Sequence, residues 1–319
     1  MENLIEIKNL RVGFEKGGKF LEALKGISFS VKKGEKLAIV GESGSGKTLL
    51  ALSILRLIEP PGKITDGEII YKKEDLLKLW EEEVRKIRGK EIAMVFQEPL
   101  SSLNPVLTIG YQVAEPFLIH TKIGKKEAIE KAKELLKLVS ISDVERVASA
   151  YPHELSGGMR QRAMIAMALA LNPEILLADE PTTALDVTLQ AQFLNLLNDL
   201  VMGFSLTLIL ITHDFGVVSE TCDRVVVLYG GTICEDSPKV DIIRSPLHPY
   251  TKGLLNSIPK SGEKELKPIR GQVPPIGRFP SGCPFRDRCD SAFEKCSKKM
   301  PQLKEIGNGR KVACFLYGE

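Results

Sequence analysis

The stretch L-A-I-V-G-E-S-G-S-G-K-T-L-L, Leu37 to Leu50, limits the fold more than any other part of the chain. Leu37 to Val40 is a short continuous apolar run that stops at Gly41, and L-L-A-L-S-I-L-R-L-I after Lys47 has helical character. A buried strand, a glycine-rich loop and a helix are therefore expected in that order. Gly41 to Thr48 fits G-x-x-x-x-G-K-[ST], so Gly41, Glu42, Ser43, Gly44, Ser45 and Gly46 form a loop whose backbone N–H groups can close around phosphate oxygens. Lys47 reaches the β- and γ-phosphates, Thr48 offers a hydroxyl to Mg²⁺, and Leu49 continues the nucleotide-binding set.

The surrounding pattern supplies the rest of an α/β core. Residues 1 to about 36 alternate apolar and polar positions with glycine breaks at Gly17, Gly18 and Gly34, the period of half-buried strands. I-L-L-A and L-T-L-I-L-I are further buried-strand runs, and R-V-V-V-L, Y-G-G, T-I-C-E reads as a hairpin turned at Gly230 and Gly231. Residues about 98–165 read as a mainly helical insertion, with Ile129, Ala132, Leu135, Leu136 and Val139 at helical spacing. Past about residue 240, nine prolines from Pro246 to Pro301 cut the chain into short pieces. Pieces of that size bury little apolar surface and usually need a staple.

Several function classes are disfavoured. The net charge of +3 and the lack of a long Lys/Arg block argue against a nucleic-acid partner. The longest strongly apolar stretch, Leu200 to His213, is 14 residues, too short to span a bilayer. M-E-N-L-I-E-I-K has no apolar h-region and is not expected to be a signal peptide, which predicts a cytoplasmic chain.

The phosphate loop calls for a metal-binding carboxylate and a base. In I-L-L-A-D-E, Asp179 at a strand end can hold Mg²⁺ through water, and Glu180 can polarise a water for in-line attack on the γ-phosphate. His213 ends another apolar run and either orients that water or is structural. Gln97, ending A-M-V-F-Q, is ambiguous alone. In L-S-G-G-M, Leu155 to Met159, Ser156 caps a helix whose N-terminus Gly157 and Gly158 open to an anion. Because Gly41–Thr48 is already a complete cradle, the economical expectation is an ATP held by a second subunit.

Taken in order, G-E-S-G-S-G-K-T, L-S-G-G-M, I-L-L-A-D-E and I-T-H-D resemble the nucleotide-binding subunits of ABC transporters over residues 1–240. The resemblance implies a head-to-tail sandwich of two such subunits with two ATP molecules between them. It implies that Gln97 is the Mg²⁺-linked residue that senses the membrane subunit, that Thr48, Gln97 and Asp179 serve Mg²⁺, and that Glu180, His213 and Gln97 are catalytic. It makes Asp186 of T-A-L-D a dimer-crossing residue, and Phe14 the aromatic stacked on adenine, with Phe20 as rival. F-Q-E-P-L-S-S-L-N-P and R-S-P-L-H-P-Y-T-K-G-L-L narrow the resemblance to the dipeptide, oligopeptide or nickel importers. The implied function is ATP hydrolysis driving import of di- or oligopeptides, with nickel as an alternative cargo. The implied partners are a second ATPase subunit, two membrane permease subunits and, indirectly, an extracellular or periplasmic substrate-binding protein. The chain would sit peripherally on the cytoplasmic face of the membrane. The rival from another class is a soluble ABC-type mechanical ATPase in DNA repair or translation.

The remaining feature is C-x5-C-x6-C-x17-C, formed by Cys283, Cys289, Cys296 and Cys314. In a cytosolic chain spaced cysteines read first as metal ligands. Residue chemistry leaves Zn²⁺ and an iron–sulfur cluster open, with free thiols as a third option, although the lack of a C-x2-C pair weakens a zinc ribbon. The peptide-importer resemblance implies a [4Fe–4S] cluster, with Zn²⁺ as the alternative. The expected architecture is thus an α/β P-loop ATPase of the ABC type: residues 1–240 with a β-rich N-terminal subdomain and the helical insertion, and 241–319 a small Cys-rich C-terminal module. Cys222 and Cys234 are expected as small buried side chains of the ATPase body.

Overall fold

The structure, a computed structural model, describes residues 2–98, 102–183, 186–258 and 268–318. Pro99, Leu100 and Ser101, Ala184 and Leu185 of T-A-L-D, and Pro259 lie outside the described residues. In chain order the strands are β1 (Asn3–Lys16), β2 (Lys19–Lys32), β3 (Lys36–Val40), β4 (Gly62–Tyr71), β5 (Glu74–Asp75) and β6 (Ile92–Val95). They continue with β7 (Ile175–Asp179), β8 (Thr207–Thr212), β9 (Arg224–Tyr229), β10 (Thr232–Pro238), β11 (Lys304–Gly307) and β12 (Arg310–Val312). The chain divides into two compact units, one of Met1–Lys32, Lys36–Leu77 and Ile211–Glu319, the other of Lys33–Glu35 and Lys78–Leu210.

The first unit carries an antiparallel sheet in the order β2-β1-β4-β5. Alternation in β1 puts Ile5, Ile7, Leu10 and Val12 inside, and the register runs Val12 to Leu24 and Phe14 to Leu21. A second set of strands in this unit runs β11-β12-β10-β9-β3, with β3 and β9 parallel. β9 and β10 form the expected hairpin, turned where Gly230 and Gly231 take φ of 56° and 78°, a region open to glycine at no steric cost.

The Cys-rich segment is built into this unit rather than standing beside it. β12 pairs with β10 through Glu235 to Val312, and the Ala313 N–H donates to the Cys234 carbonyl at 2.8 Å. Phe285, Val312 and Ala313 are buried, so a segment expected to bury little contributes to the core.

In the second unit the strand order is β8-β7-β6, β6 and β7 being parallel. The expected helical stretch contains helices Ile109–His120, Lys125–Leu138, Val144–Ser149 and Gly157–Leu169. In Lys125–Leu138 the innermost line is Ala128, Ala132 and Leu136 at four-residue spacing; Ile129 and Leu135 are only half-buried. Small alanines let a neighbouring helix come close, which outweighs the larger apolar area of isoleucine at that point. Among the described residues no helix is long and apolar enough to cross a membrane.

Candidate functional site

The first unit positions the phosphate loop. β3 ends at Val40, the loop follows, and the helix Lys47–Ile54 begins after Gly46. Gly44 and Gly46 have φ of 79° and 104°, a left-handed region that L side chains rarely enter. A Cβ on Gly41 would press into the Leu228 carbonyl and the Ser45 hydroxyl, whereas one on Gly44 would meet nothing within 4 Å. The loop is thus pinned at its base and open at its crown, the form a phosphate cradle needs. Lys47 is nearly buried and its Nζ donates to the Gly41 carbonyl at 2.8 Å and the Glu42 carbonyl at 3.2 Å. The Ser45 hydroxyl is buried without a hydrogen-bond partner among the described residues. Ser43 and Thr48 are exposed, and Leu49 is half-buried. An open crown of N–H groups with an ammonium at its root fits the triphosphate of ATP.

Other expected residues of this unit are Phe14 and His213. Phe14 is half-buried on β1, and Phe20 is 41% exposed with its ring over Gly13. His213 is exposed just past β8, and Asp214 caps the next helix by accepting the Gly216 N–H at 2.7 Å.

The second unit brings Gln97 and Glu180 together. The Gln97 Nε2 donates to Glu180 Oε2 at 3.3 Å, and the Thr183 hydroxyl donates to the same oxygen at 3.0 Å. Glu180 follows β7 with φ 44°, a left-handed backbone that costs a non-glycine residue about 1–2 kcal/mol. Two donors and a tight turn aim one carboxylate oxygen, and such strain persists where the surroundings hold it. Asp179, at the end of β7, is buried. Oxygen donors of this sort suit Mg²⁺, a hard cation.

Leu155 is buried and Ser156 caps the helix Gly157–Leu169, its hydroxyl accepting the Met159 N–H at 3.4 Å. Gly157 is exposed, and a Cβ there would meet nothing within 4 Å; one on Gly158 would only brush Leu189 at 3.8 Å. Asp186 caps the helix Val187–Gly203, accepting the Leu189 N–H at 2.9 Å.

Cys283, Cys289, Cys296 and Cys314 line one cavity in the first unit, together with His248 and Phe285. The Cys283 N–H donates to the Cys296 carbonyl at 2.8 Å, made possible by Gly282 at φ 73°, where a Cβ would collide with that carbonyl. Burial pushes the Cys283 thiol up to about 11 and raises those of Cys289 and Cys314. Backbone N–H groups of Phe285, Ser291 and Leu316 work in the opposite direction at Cys283, Cys289 and Cys314 respectively. Among the described residues no three His, Cys, Asp or Glu side chains converge tightly enough to hold a single ion. Cys222 and Cys234 are buried, and burial raises both thiols, Cys222 to about 12.

Sequence reasoning missed three residues around Glu42. The Arg288 guanidinium grips the Glu42 carboxylate at 2.6 and 2.9 Å, the Tyr250 hydroxyl accepts the Glu42 N–H at 2.8 Å, and Tyr229 lies against both. More than two hundred positions separate the partners, and although Tyr250 stands in the H-P-Y segment, no local pattern announces its contact with Glu42 or that of Arg288.

Residues 24–183 match the family model described as ABC transporter, and residues 234–296 match that of the oligopeptide/dipeptide transporter C-terminal region. The oligopeptide transport ATP-binding protein AppD of Bacillus subtilis is 50% identical over all of this chain and 98% of its own length. The dipeptide transport ATP-binding protein DppD of the same organism is 46% identical over 99% of this chain and 95% of its own. Among solved structures, the ATP-binding cassette MJ0796, a dimer in a post-hydrolysis state bound to ADP and Pi, aligns with a TM-score of 0.67 at 33% identity. That alignment covers 74% of this chain and 98% of the cassette. A phosphate loop, a strand-end carboxylate pair and relatives aligned from end to end lead to one conclusion: this chain belongs to the ABC transporter ATP-binding proteins of the oligopeptide/dipeptide family.

Proposed function

We propose that this chain is the ATP-hydrolysing subunit that powers import of di- or oligopeptides through partner membrane subunits. The observation that carries the reading is the second family match, residues 234–296, within a chain that full-length peptide-transport relatives match end to end. The two family matches also support a division near residue 240 between a cassette and a C-terminal module.

In this reading ATP is the substrate. The loop from Gly41 to Gly46 binds its phosphates, Lys47 neutralises developing charge, and Phe14 stacks on the adenine. Thr48, Gln97 and Asp179 would hold Mg²⁺, which when bound neutralises phosphate charge. Glu180 takes the proton of the attacking water, oriented by Gln97 and Thr183, and His213 helps position that water. Leu155 to Met159 and Asp186 serve the nucleotide of a second ATPase subunit, a reading supported by the dimeric state of the MJ0796 cassette. Two permease subunits and a substrate-binding protein complete the importer, with this chain on the cytoplasmic face of the membrane.

Cys283, Cys289, Cys296 and Cys314 would hold a [4Fe–4S] cluster, with Zn²⁺ as the alternative. What supports a metal at these residues is that all four thiols line one cavity. When bound, such a cluster supplies a staple and a redox-active centre. Near-equal iron and sulfide in protein purified without oxygen is the expected result; zinc alone would replace the cluster, and no metal would sink both.

The transport reading is tested by reconstituting the chain with its permeases in vesicles. Peptide added with the binding protein should stimulate ATP hydrolysis and accumulate inside; stimulation by nickel instead would change the cargo. Glu180→Gln should retain ATP binding, lower turnover by about a hundredfold or more, and favour a closed dimer. Turnover near wild type would remove Glu180 from its role.

A further inference from the structure

Glu42, the second residue of the phosphate loop, is held at every polar group it has. Its N–H donates to the Tyr250 hydroxyl at 2.8 Å. Its carbonyl accepts from Lys47 Nζ and from the Ser45 N–H, both at 3.2 Å. Its carboxylate takes two parallel bonds from Arg288, at 2.6 and 2.9 Å.

Arg288 is committed just as fully. Its side chain is only 6% exposed. Nε donates to the Arg270 carbonyl at 2.8 Å, Nη1 to Glu42 and to the Tyr229 hydroxyl at 3.4 Å, and Nη2 to Glu42 and to the Gly271 carbonyl at 3.3 Å. All five N–H donors of a guanidinium thus find acceptors, a geometry lysine cannot reproduce. A bidentate pair whose guanidinium is buried and whose carboxylate is half-buried fixes orientation more firmly than an exposed one. Tyr250 is fully buried and packs its ring on Tyr229 at 4.7 Å and on Phe285 at 5.2 Å, so its hydroxyl cannot swing away.

A plain docking staple would need only the carboxylate. Here the grip extends to the main chain of the loop, and the Glu42 carbonyl is itself an anchor of the Lys47 ammonium. Any shift of Glu42 therefore moves the root of the cradle and the cation that meets the phosphates. Arg288 adjoins Cys289 of the cysteine-lined cavity, and Phe285, which touches Tyr250, lines it.

We propose that Arg288 and Tyr250 are positioning residues of the ATP site, holding the phosphate loop in its nucleotide-accepting form through Glu42. The inference rests on reading Gly41–Thr48 as that site, and it makes the C-terminal segment part of nucleotide binding.

The test is equilibrium binding of a fluorescent ATP analogue to the full chain, with KM and kcat measured in the assembled importer. Arg288→Gln and Glu42→Gln should each weaken ATP binding about tenfold, and the double variant should be no worse than either single one, because both remove one interaction. KM for ATP should rise in step, with kcat changed less than twofold. Tyr250→Phe keeps the ring and deletes only the hydroxyl, so it remains informative if Arg288→Gln does not fold; a three- to tenfold loss is expected. Binding within twofold of wild type in Tyr250→Phe and in whichever charge variant folds, even with a lowered melting temperature, overturns the proposal and leaves a structural staple. Losses that simply add in the double variant overturn it too. If Lys47→Ala binds the analogue like wild type, the ATP-site reading itself fails, and the proposal falls with it.

Discussion

The phosphate loop and the cysteine-lined cavity are two ways of building a site in one compact unit. The loop is eight consecutive residues whose geometry follows from glycine placement and a strand-to-helix junction. The cavity is gathered from His248 to Leu316, with irregular spacing, and takes its form from a hairpin on β10 and from aromatic packing around Phe285. Local geometry tolerates change elsewhere and fails sharply at one residue; a gathered site should lose function by degrees and take stability with it.

The sharpest way to break that contrast is Lys47→Ala. It should reduce ATPase activity by about a hundredfold or more while leaving unchanged any metal that the proposed cysteine site holds, by elemental analysis. Cys283→Ser should do the reverse: bound metal falls, the melting temperature drops by about 5 °C or more, and ATP affinity suffers far less than in Lys47→Ala. Equal losses of both properties in either variant would erase the distinction.

Gly46→Ala is a finer probe. At φ 104°, with a Cβ directed 2.6 Å from a Leu24 methyl, the substitution should cost about 1–3 kcal/mol in urea unfolding and weaken ATP binding together. The effect confined to acid pH concerns His248, whose Nδ1 accepts the Tyr250 N–H at 3.1 Å. Burial pulls its pKa down to about 3, so the unfolded chain binds this proton first. Its contribution is intact above pH 6.5 and is lost as pH falls toward 3, with a slope of at most about 1.4 kcal/mol per pH unit. His248→Gln should flatten the wild-type acid dependence of the unfolding free energy, measured by urea melts, by up to that amount.

What the sequence disclosed was local. β3, β7 and β8 lie on continuous apolar runs, the β9–β10 turn on a Gly-Gly pair, and the caps at Ser156 and Asp186 on residue types that accept N–H groups. β4 escaped because G-K-I-T-D-G-E-I-I-Y is half-exposed and punctuated by glycines; it is a strand because β1 offers it an edge. β11 and β12 escaped for the same reason, since only pairing with β10 and with each other defines them. The Glu180 contacts with Gln97 and Thr183 follow from how β6 and β7 lie side by side. The pairing of Arg288 with Glu42 left no trace in either neighbourhood, because what joins them is tertiary proximity.

The edge of β10 has a consequence for biosynthesis. Every described position from Thr232 to Ser237 is buried, yet β12, the strand that pairs along it, comes only at Arg310–Val312. During translation at ~5–20 residues per second the nascent chain therefore displays an unpaired strand edge for on the order of several seconds. A ribosome stalled between these two strands would present a ready template for mispairing, which makes this interval the one in which a chaperone has most to do.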